Sequence, residues 1–236
     1  MEPSVFLKRM QQLAELTERD KAAIQALPWS TDRTYRGRDI LSVGDRPDYL
    51  YVVVSGWAAR YGLRRDGSRR ITSFMLPGDF CGIHSVAEIA MDHAIVAITD
   101  CQVARVRKSY IEQAIHGSPE LSKALWHAKA ADEAILRMWL LSSRNAEQAV
   151  AHLLCELHAR MDSFGGVDQG QFELPITQEH IADALGITAV HTNRMLRRLV
   201  QAHLIHYGDG RLCIPDLAKL RHHCAFSIGY MHQGQR

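Results

Sequence analysis

The stretch ITQEHIADALGITAVHTNRMLRRL (176–199) constrains the chain more tightly than any other. Its apolar residues Ile181, Leu185, Ile187, Met195, Leu196 and Leu199 recur near helical spacing on either side of Gly186. Glycine accepts the backbone needed for a tight turn between helices. Thr177 and Thr188 stand where N-caps belong. Ala182 is small where two helices would cross. The expectation is a helix from Thr177 through Ala184, a glycine turn, and a second helix from about Ala189 to Gln201: a helix-turn-helix.

The second helix would expose Ala189, Val190, His191, Asn193, Arg194, Arg197 and Arg198. Such a set suits a DNA major groove, where arginine donates two hydrogen bonds to guanine and arginine, asparagine and threonine hold phosphates. LIHYGDGRLCIP (204–215) reads as a small hairpin around Gly208-Asp209-Gly210, a wing that would lie along the DNA backbone through Arg211. The whole chain carries only +2, so bulk charge does not argue for nucleic acid. The local count does. Between 188 and 211 the arginines 194, 197, 198 and 211 face only Asp209. A solvated helical pair is the plainer alternative for this segment.

Upstream the texture differs. Residues 5 to 27 have apolar positions at helical spacing. From Thr34 to Arg107 come short apolar runs, YLYVVVSG, RITSFML, AIVAIT and CQVARV, punctuated by turn residues such as Asp66-Gly67 and Pro77-Gly78-Asp79. This pattern predicts an all-β roll or barrel. A long helix follows, about Ser118 to Ser143, with Pro119 near its start. Leu121, Ala124 or Leu125, Ala128, Ala131, Ile135 and Met138 form a narrow stripe on it, read as a dimer seam; packing against the chain's own roll is the alternative. Ser142 to Asn145 breaks the pattern and reads as a hinge, a second helix covers Ala146 to Met161, and 163–171 reads as a loop. The expected domains are 1–117, a roll with N-terminal helices; 118–145, the dimerisation helix and hinge; and 146–236, the winged helix-turn-helix. The fold class is α+β.

With 47% hydrophobic residues the chain can build real cores. No apolar run is long enough to cross a bilayer, and a soluble cytoplasmic protein with reduced thiols is expected. The five cysteines show no CxxC spacing. His152, Cys155 and Glu156 are close on one helix, but nothing supplies a full zinc ligand set, and packing is the better reading. Adjacent histidines at 222 and 223 are poor co-ligands, so no metal is assigned. No nucleophile elbow, P-loop, HExxH or dinucleotide fingerprint is present, and no enzyme is expected.

Roll, seam helix, hinge and winged helix-turn-helix, in that order, resemble the Crp/Fnr transcription regulators. The residues that carry the resemblance are GRDILSVGDRPDYLYVVVSGWA (37–58), LPGDFCG (76–82) and 176–199. It implies a cyclic-nucleotide-binding-like jelly roll and a homodimer on an inverted repeat of double-stranded DNA. It also implies RNA polymerase as a protein partner and no membrane association. In the family's recognition pattern xExxxR, the arginine corresponds to Arg194 and the glutamate position to Val190, so the half-site should differ from the best-known ones. Thr177, Gln178, Thr188 and His191 fall where the family grips phosphates.

The same resemblance bears on control. The cyclic-AMP subgroup's Gly-Glu-Leu and Arg-Ser segments align with Gly82-Ile83-His84 and His93-Ala94. Ribose acceptor and phosphate cation are both replaced, so cyclic AMP is not expected to bind. The first cysteine is Cys81, which excludes the N-terminal thiolate set of the iron–sulfur subgroup. The effector pocket is assigned to Cys81, Gly82, Ile83, His84, His93 and Ala94, with no effector or cofactor identified. DFCGIHS, MDHAI (91–95) and AHLLCELHARM (151–161) look like a branch of the superfamily without an assigned effector. Two alternatives stay open: a haem-based redox or gas sensor using His84, and a constitutive regulator with a vestigial, ligand-free roll.

Overall fold

The computed structural model describes residues 4–82, 89–141 and 145–231. They form two compact units, one from Met1–Gly62 with Thr72–Asp132 and the other from Leu63–Ile71 with Glu133–Met231.

The first unit opens with two helices where a single helical run was expected. α1 (Ser4–Leu13) and α2 (Glu18–Gln25) are separated because Thr17 caps the second. Its hydroxyl accepts from Asp20 N at 3.2 Å and Asp20 returns the bond to Thr17 N at 2.9 Å. Eight strands follow: β1 (Ser30–Thr34), β2 (Asp39–Leu41), β3 (Tyr49–Ser55), β4 (Ala58–Leu63), β5 (Arg69–Met75), β6 (Phe80–Cys81), β7 (Ala94–Ala97) and β8 (Cys101–Arg107). They make two four-stranded sheets, ordered β1-β8-β3-β6 and β2-β7-β4-β5. Gly56 turns β3 into β4 at φ +85°; a Cβ there would lie 2.4 Å from Asp100 O, so the turn requires glycine.

Period two divides the buried residues of β3 and β8 between two cores. Leu50, Val52, Ala104 and Val106 join Phe6, Met10 and Ile24 in a helix-facing layer. Val53, Cys101 and Val103 point the other way, to Leu41, Met75, Cys81 and Ile95 inside the roll. Burial on both faces is why YLYVVVS reads as a continuous apolar run rather than an alternation.

β8 leads directly into α3 (Lys108–Gly117), a helix the periodicity did not reveal, and α4 (Pro119–Leu141) follows. Ser118 Oγ accepts from Leu121 N at 3.0 Å at the start of α4. The stripe expected to face a second copy is covered within the chain. Leu121, Ala124, Leu125 and Ala128 belong to the helix-facing core with Phe6 and Leu50, and Ala131 and Ile135 are also buried. Met138 is half-buried. For Leu121, Ala124, Leu125 and Ala128 the first unit offers an apolar surface in the same chain, in line with the alternative reading of the stripe. α4 carries a second stripe with the same 4-3-4-3 spacing. Trp126, Ala130, Glu133, Arg137 and Leu140 are all exposed, Trp126 by 73%.

The hinge expected at 142–145 lies outside the described residues except for Asn145, whose side chain caps α5 (Ala146–Ser163) by accepting from Glu147 N and Gln148 N. The second unit then adds β9 (Gln171–Glu173), α6 (Gln178–Leu185), α7 (Ala189–Gln201), β10 (His206–Gly208), β11 (Arg211–Cys213), α8 (Leu217–His223) and a final 3-10 turn, Ile228–Met231. Its sheet runs β10-β11-β9. β9 was not expected; it pairs Phe172 with Leu212, which closes the end of the segment read as a loop. No described helix is long and apolar enough to cross a membrane.

Candidate nucleic-acid interface

α6 and α7 are built by local signals. Thr177 caps α6 and takes part in a reciprocal box: its hydroxyl accepts from His180 N at 3.3 Å and His180 Nδ1 accepts from Thr177 N at 3.1 Å. Gly186, at φ +70°, ends α6 with its N–H and that of Ile187 both on Ala182 O. Thr188 starts α7 by accepting from His191 N at 3.2 Å.

The buried face of α7 carries Thr192, Met195, Leu196 and Leu199. Thr192 would be costly there without a partner; its hydroxyl donates to Thr188 O at 3.1 Å. The opposite face holds Val190, 82% exposed, with Arg194 one turn later and Arg197 and Arg198 beyond it, all exposed. Ala189, His191 and Asn193 are half-buried. Arg194 Nη2 donates to His191 Nδ1 at 3.0 Å, which holds the guanidinium along the helix. Asn193 Nδ2 donates to Gln178 Oε1 at 2.8 Å, so these two residues clasp α6 to α7. Arg198 lies 3.7 Å from Glu147 of α5.

The wing is the hairpin β10–β11. Asp209 and Gly210 at its tip both have positive φ, +51° and +71°, a twist that suits a two-residue hairpin turn. Leu212 is buried and anchors the hairpin on β9, while Arg211 is exposed at its edge.

Of the six residues assigned to an effector, Cys81, Gly82, His93 and Ala94 are among the described residues. Ile83 and His84 lie outside the described residues. Cys81 is part of the roll's interior, and burial pushes its thiol up to about 12. Gly82, at φ +81°, packs against Tyr49 O. Ala94 is a core residue of β7, and His93 Nδ1 meets the adjacent Asp92 carboxylate at 2.5 Å. One cavity among the described residues of the roll, about 10 Å³, is lined by residues including Arg9, Arg60, Ser73, Asp79, Phe80 and Asp132. Arg60 pairs with Asp132 at 3.1 Å and Arg9 with Asp79 at 3.7 Å. Sequence reasoning missed these four charges because they come from α1, β4, the β5–β6 turn and α4, with no local motif.

Among the described residues no group of three or more His, Cys, Asp or Glu is placed to hold a metal ion. His152 packs between Phe226 and Tyr230, and Glu156 accepts from Trp139 Nε1 at 2.6 Å.

Residues 148–223 match the Crp-like helix-turn-helix domain and residues 33–118 the cyclic nucleotide-binding domain. The nitrogen fixation regulation protein FixK of Bradyrhizobium diazoefficiens is 30% identical over 78% of this chain and 77% of its own length. The transcriptional activator protein FnrL of Cereibacter sphaeroides is 28% identical over 80% of this chain and 78% of its own. Among solved structures, FixK2 from Bradyrhizobium japonicum superposes with a TM-score of 0.74 at 26% identity, covering 83% of this chain and 97% of that one. These relatives are regulators rather than enzymes. With a nucleotide-binding-type roll, a long helix and a winged helix-turn-helix in that order, the chain belongs to the Crp/Fnr family and is a DNA-binding transcription regulator of that type.

Proposed function

We propose that the protein binds an inverted repeat as a homodimer, with α7 of each copy in a major groove and the two half-sites about 34 Å apart. The observation that carries this reading is the outward face of α7. An 82% exposed valine is followed one turn later by a held arginine. Val190 suits a thymine methyl and Arg194 suits guanine O6 and N7. Arg197, Arg198, Thr177, Gln178, Thr188, His191 and the wing's Arg211 serve phosphates, with Ala189 and Asn193 packed at the groove edge. The bound dimer acts on RNA polymerase.

The second stripe of α4 supports the dimer. Trp126 and Leu140 are apolar and exposed, and Glu133 and Arg137 lie between them. Two such stripes would bury the tryptophans and exchange ion pairs between copies. Trp126→Glu is expected to shift the protein from dimer to monomer in sedimentation while leaving its circular dichroism unchanged.

Binding without cyclic AMP is supported by the residues of the roll's expected ligand segment, where His93 and Ala94 stand in place of the phosphate-holding pair. The cavity among the described residues, about 10 Å³, has room for roughly one water. Two guanidinium–carboxylate pairs occupy its walls.

Selection from random DNA by the purified protein, with nothing added and at moderate salt, tests both points. Recovery of an inverted repeat is the expected result. Only weak binding that salt abolishes would show that a missing signal is required.

A further inference from the structure

The second unit brings two thiols together from distant parts of the chain. Cys155 is midway along α5 and Cys224 follows the last turn of α8, 69 positions later, yet their sulfurs are 3.9 Å apart. Both are reduced and buried. The remaining thiols are unlike them. Cys81 and Cys101 sit in the roll's interior, and Cys213 is on the wing.

We propose that Cys155 and Cys224 are a reversible disulfide site, oxidised by a hydroperoxide, that fastens the C-terminal helix to α5. A bond requires the sulfurs to close from 3.9 Å to about 2 Å, which calls for side-chain rotation and a small shift of α8. α8 is suited to that shift. It has only seven residues. Its exit is held by Phe226 N on Arg221 O and Ala225 N on His222 O, with Ala225 at φ +51°. An alanine there occupies the left-handed position that glycine normally fills, so this end opens more readily than a glycine-capped one. Opening exposes Cys224 first, because Cys155 is covered on all sides by α5's neighbours.

The pair also divides the chemistry. The two thiols share one hydrogen bond, and Cys224, at the end of α8, is assigned the attack on peroxide. The Cys224 thiolate attacks one peroxide oxygen, the O–O bond breaks, and a protonated hydroxide leaves as water. Cys224 is then a sulfenic acid. The Cys155 sulfur, giving up its proton, attacks Cys224 Sγ; the S–S bond forms, the S–O bond breaks and the second water leaves. Two thiols lose two electrons in total, and the peroxide gains them.

The consequence reaches the recognition helix. Glu147 on α5 meets both His223 of α8, at 3.2 Å, and Arg198 of α7, at 3.7 Å. A disulfide at the next residue fixes His223 against the carboxylate that also holds Arg198.

The test uses the full chain. After hydrogen peroxide and quenching, the unfolded protein is alkylated and weighed. Two of the five thiols should be protected, dithiothreitol should restore them, and a peptide linking Cys155 to Cys224 should be recovered. Cys155→Ser should abolish the dithiothreitol-reversible loss of two thiols and, when dimedone is present during oxidation, give a single dimedone adduct at Cys224; Cys224→Ser should give neither. Cys155→Ala serves where serine disturbs the core, with far-ultraviolet circular dichroism as the folding check. Oxidation should raise the unfolding midpoint of the wild type and not of Cys224→Ser. Five alkylatable thiols after oxidation, a link through Cys213 or between chains, or protection that persists without Cys155 would each overturn the proposal.

Discussion

The interior of the roll and the interior of the winged unit are made of different materials. Inside the roll, Val53, Ala58, Met75, Ile95, Ala97 and Val103 surround Cys81 and Cys101, and the charges near them, Arg9 with Asp79 and Arg60 with Asp132, come from separate elements beside the small cavity. In the winged unit every residue of α5 from Ala149 to Arg160 is buried, and five of these twelve are titratable: His152, Cys155, Glu156, His158 and Arg160. A helix buried all round is ordinarily apolar all round. α5 instead depends on specific partners. Trp139 and Arg160 both donate to Glu156, at 2.6 and 3.3 Å. The difference teaches where each unit is vulnerable. The apolar core of the roll depends on volume, and α5 on charge state.

Conservative substitution should separate the two most strongly. Glu156→Gln keeps shape but removes the charge that compensates Arg160, and is expected to cost the winged unit about 3–5 kcal/mol in denaturant unfolding. Ile95→Leu, at a fully buried roll position, should cost only about 1.5 kcal/mol or less. Equal costs would break the comparison.

pH gives the next largest contrast. Burial lowers His152 to about 4. The unfolded chain, with an imidazole near 6.5, therefore binds more protons than the fold between those values. The stability held by neutral His152 is complete above about pH 6.5 and is lost as pH falls toward 4, by up to about 3 kcal/mol. His158 is displaced in the same direction by burial. The described buried residues of the roll include no histidine. Acid titration should unfold the winged unit first, and His152→Phe should flatten its slope.

Arg194→Ala should weaken specific DNA binding by about 1–3 kcal/mol while leaving the unfolding of both units within about 0.5 kcal/mol of the parent. Binding isotherms against matched and mismatched half-sites check it. Smallest is Thr188→Ala. Losing that cap should cost the winged unit about 1 kcal/mol and the roll nothing.

The parts legible in the sequence are those whose signals are local. Thr177, Gly186 and Thr188 fix α6 and α7 within a few residues of their own positions, and Asp209-Gly210 fixes the wing's turn. β9 escaped because Gln171–Glu173 is a strand only by virtue of β11, some forty residues later. α4 shows a different limit. Periodicity revealed one stripe correctly as a 3–4 pattern but could not say what covers it. The more apolar stripe went to the chain's own roll, and the mixed stripe, interrupted by Glu133 and Arg137, was left outside. The charges around the roll's cavity were illegible for the same reason as β9: Arg9, Arg60, Asp79 and Asp132 are neighbours only after folding.

The two stripes of α4 share no residue. Those that close the roll's core and those that face outward can therefore change independently over evolutionary time. In the dimer proposed above, a lineage that duplicates this gene could redraw Glu133 and Arg137 without disturbing Leu121 or Ala128, so that sister copies would cease to pair while each still folds. One helix would then keep the residues that close the roll and those that choose a partner on separate faces.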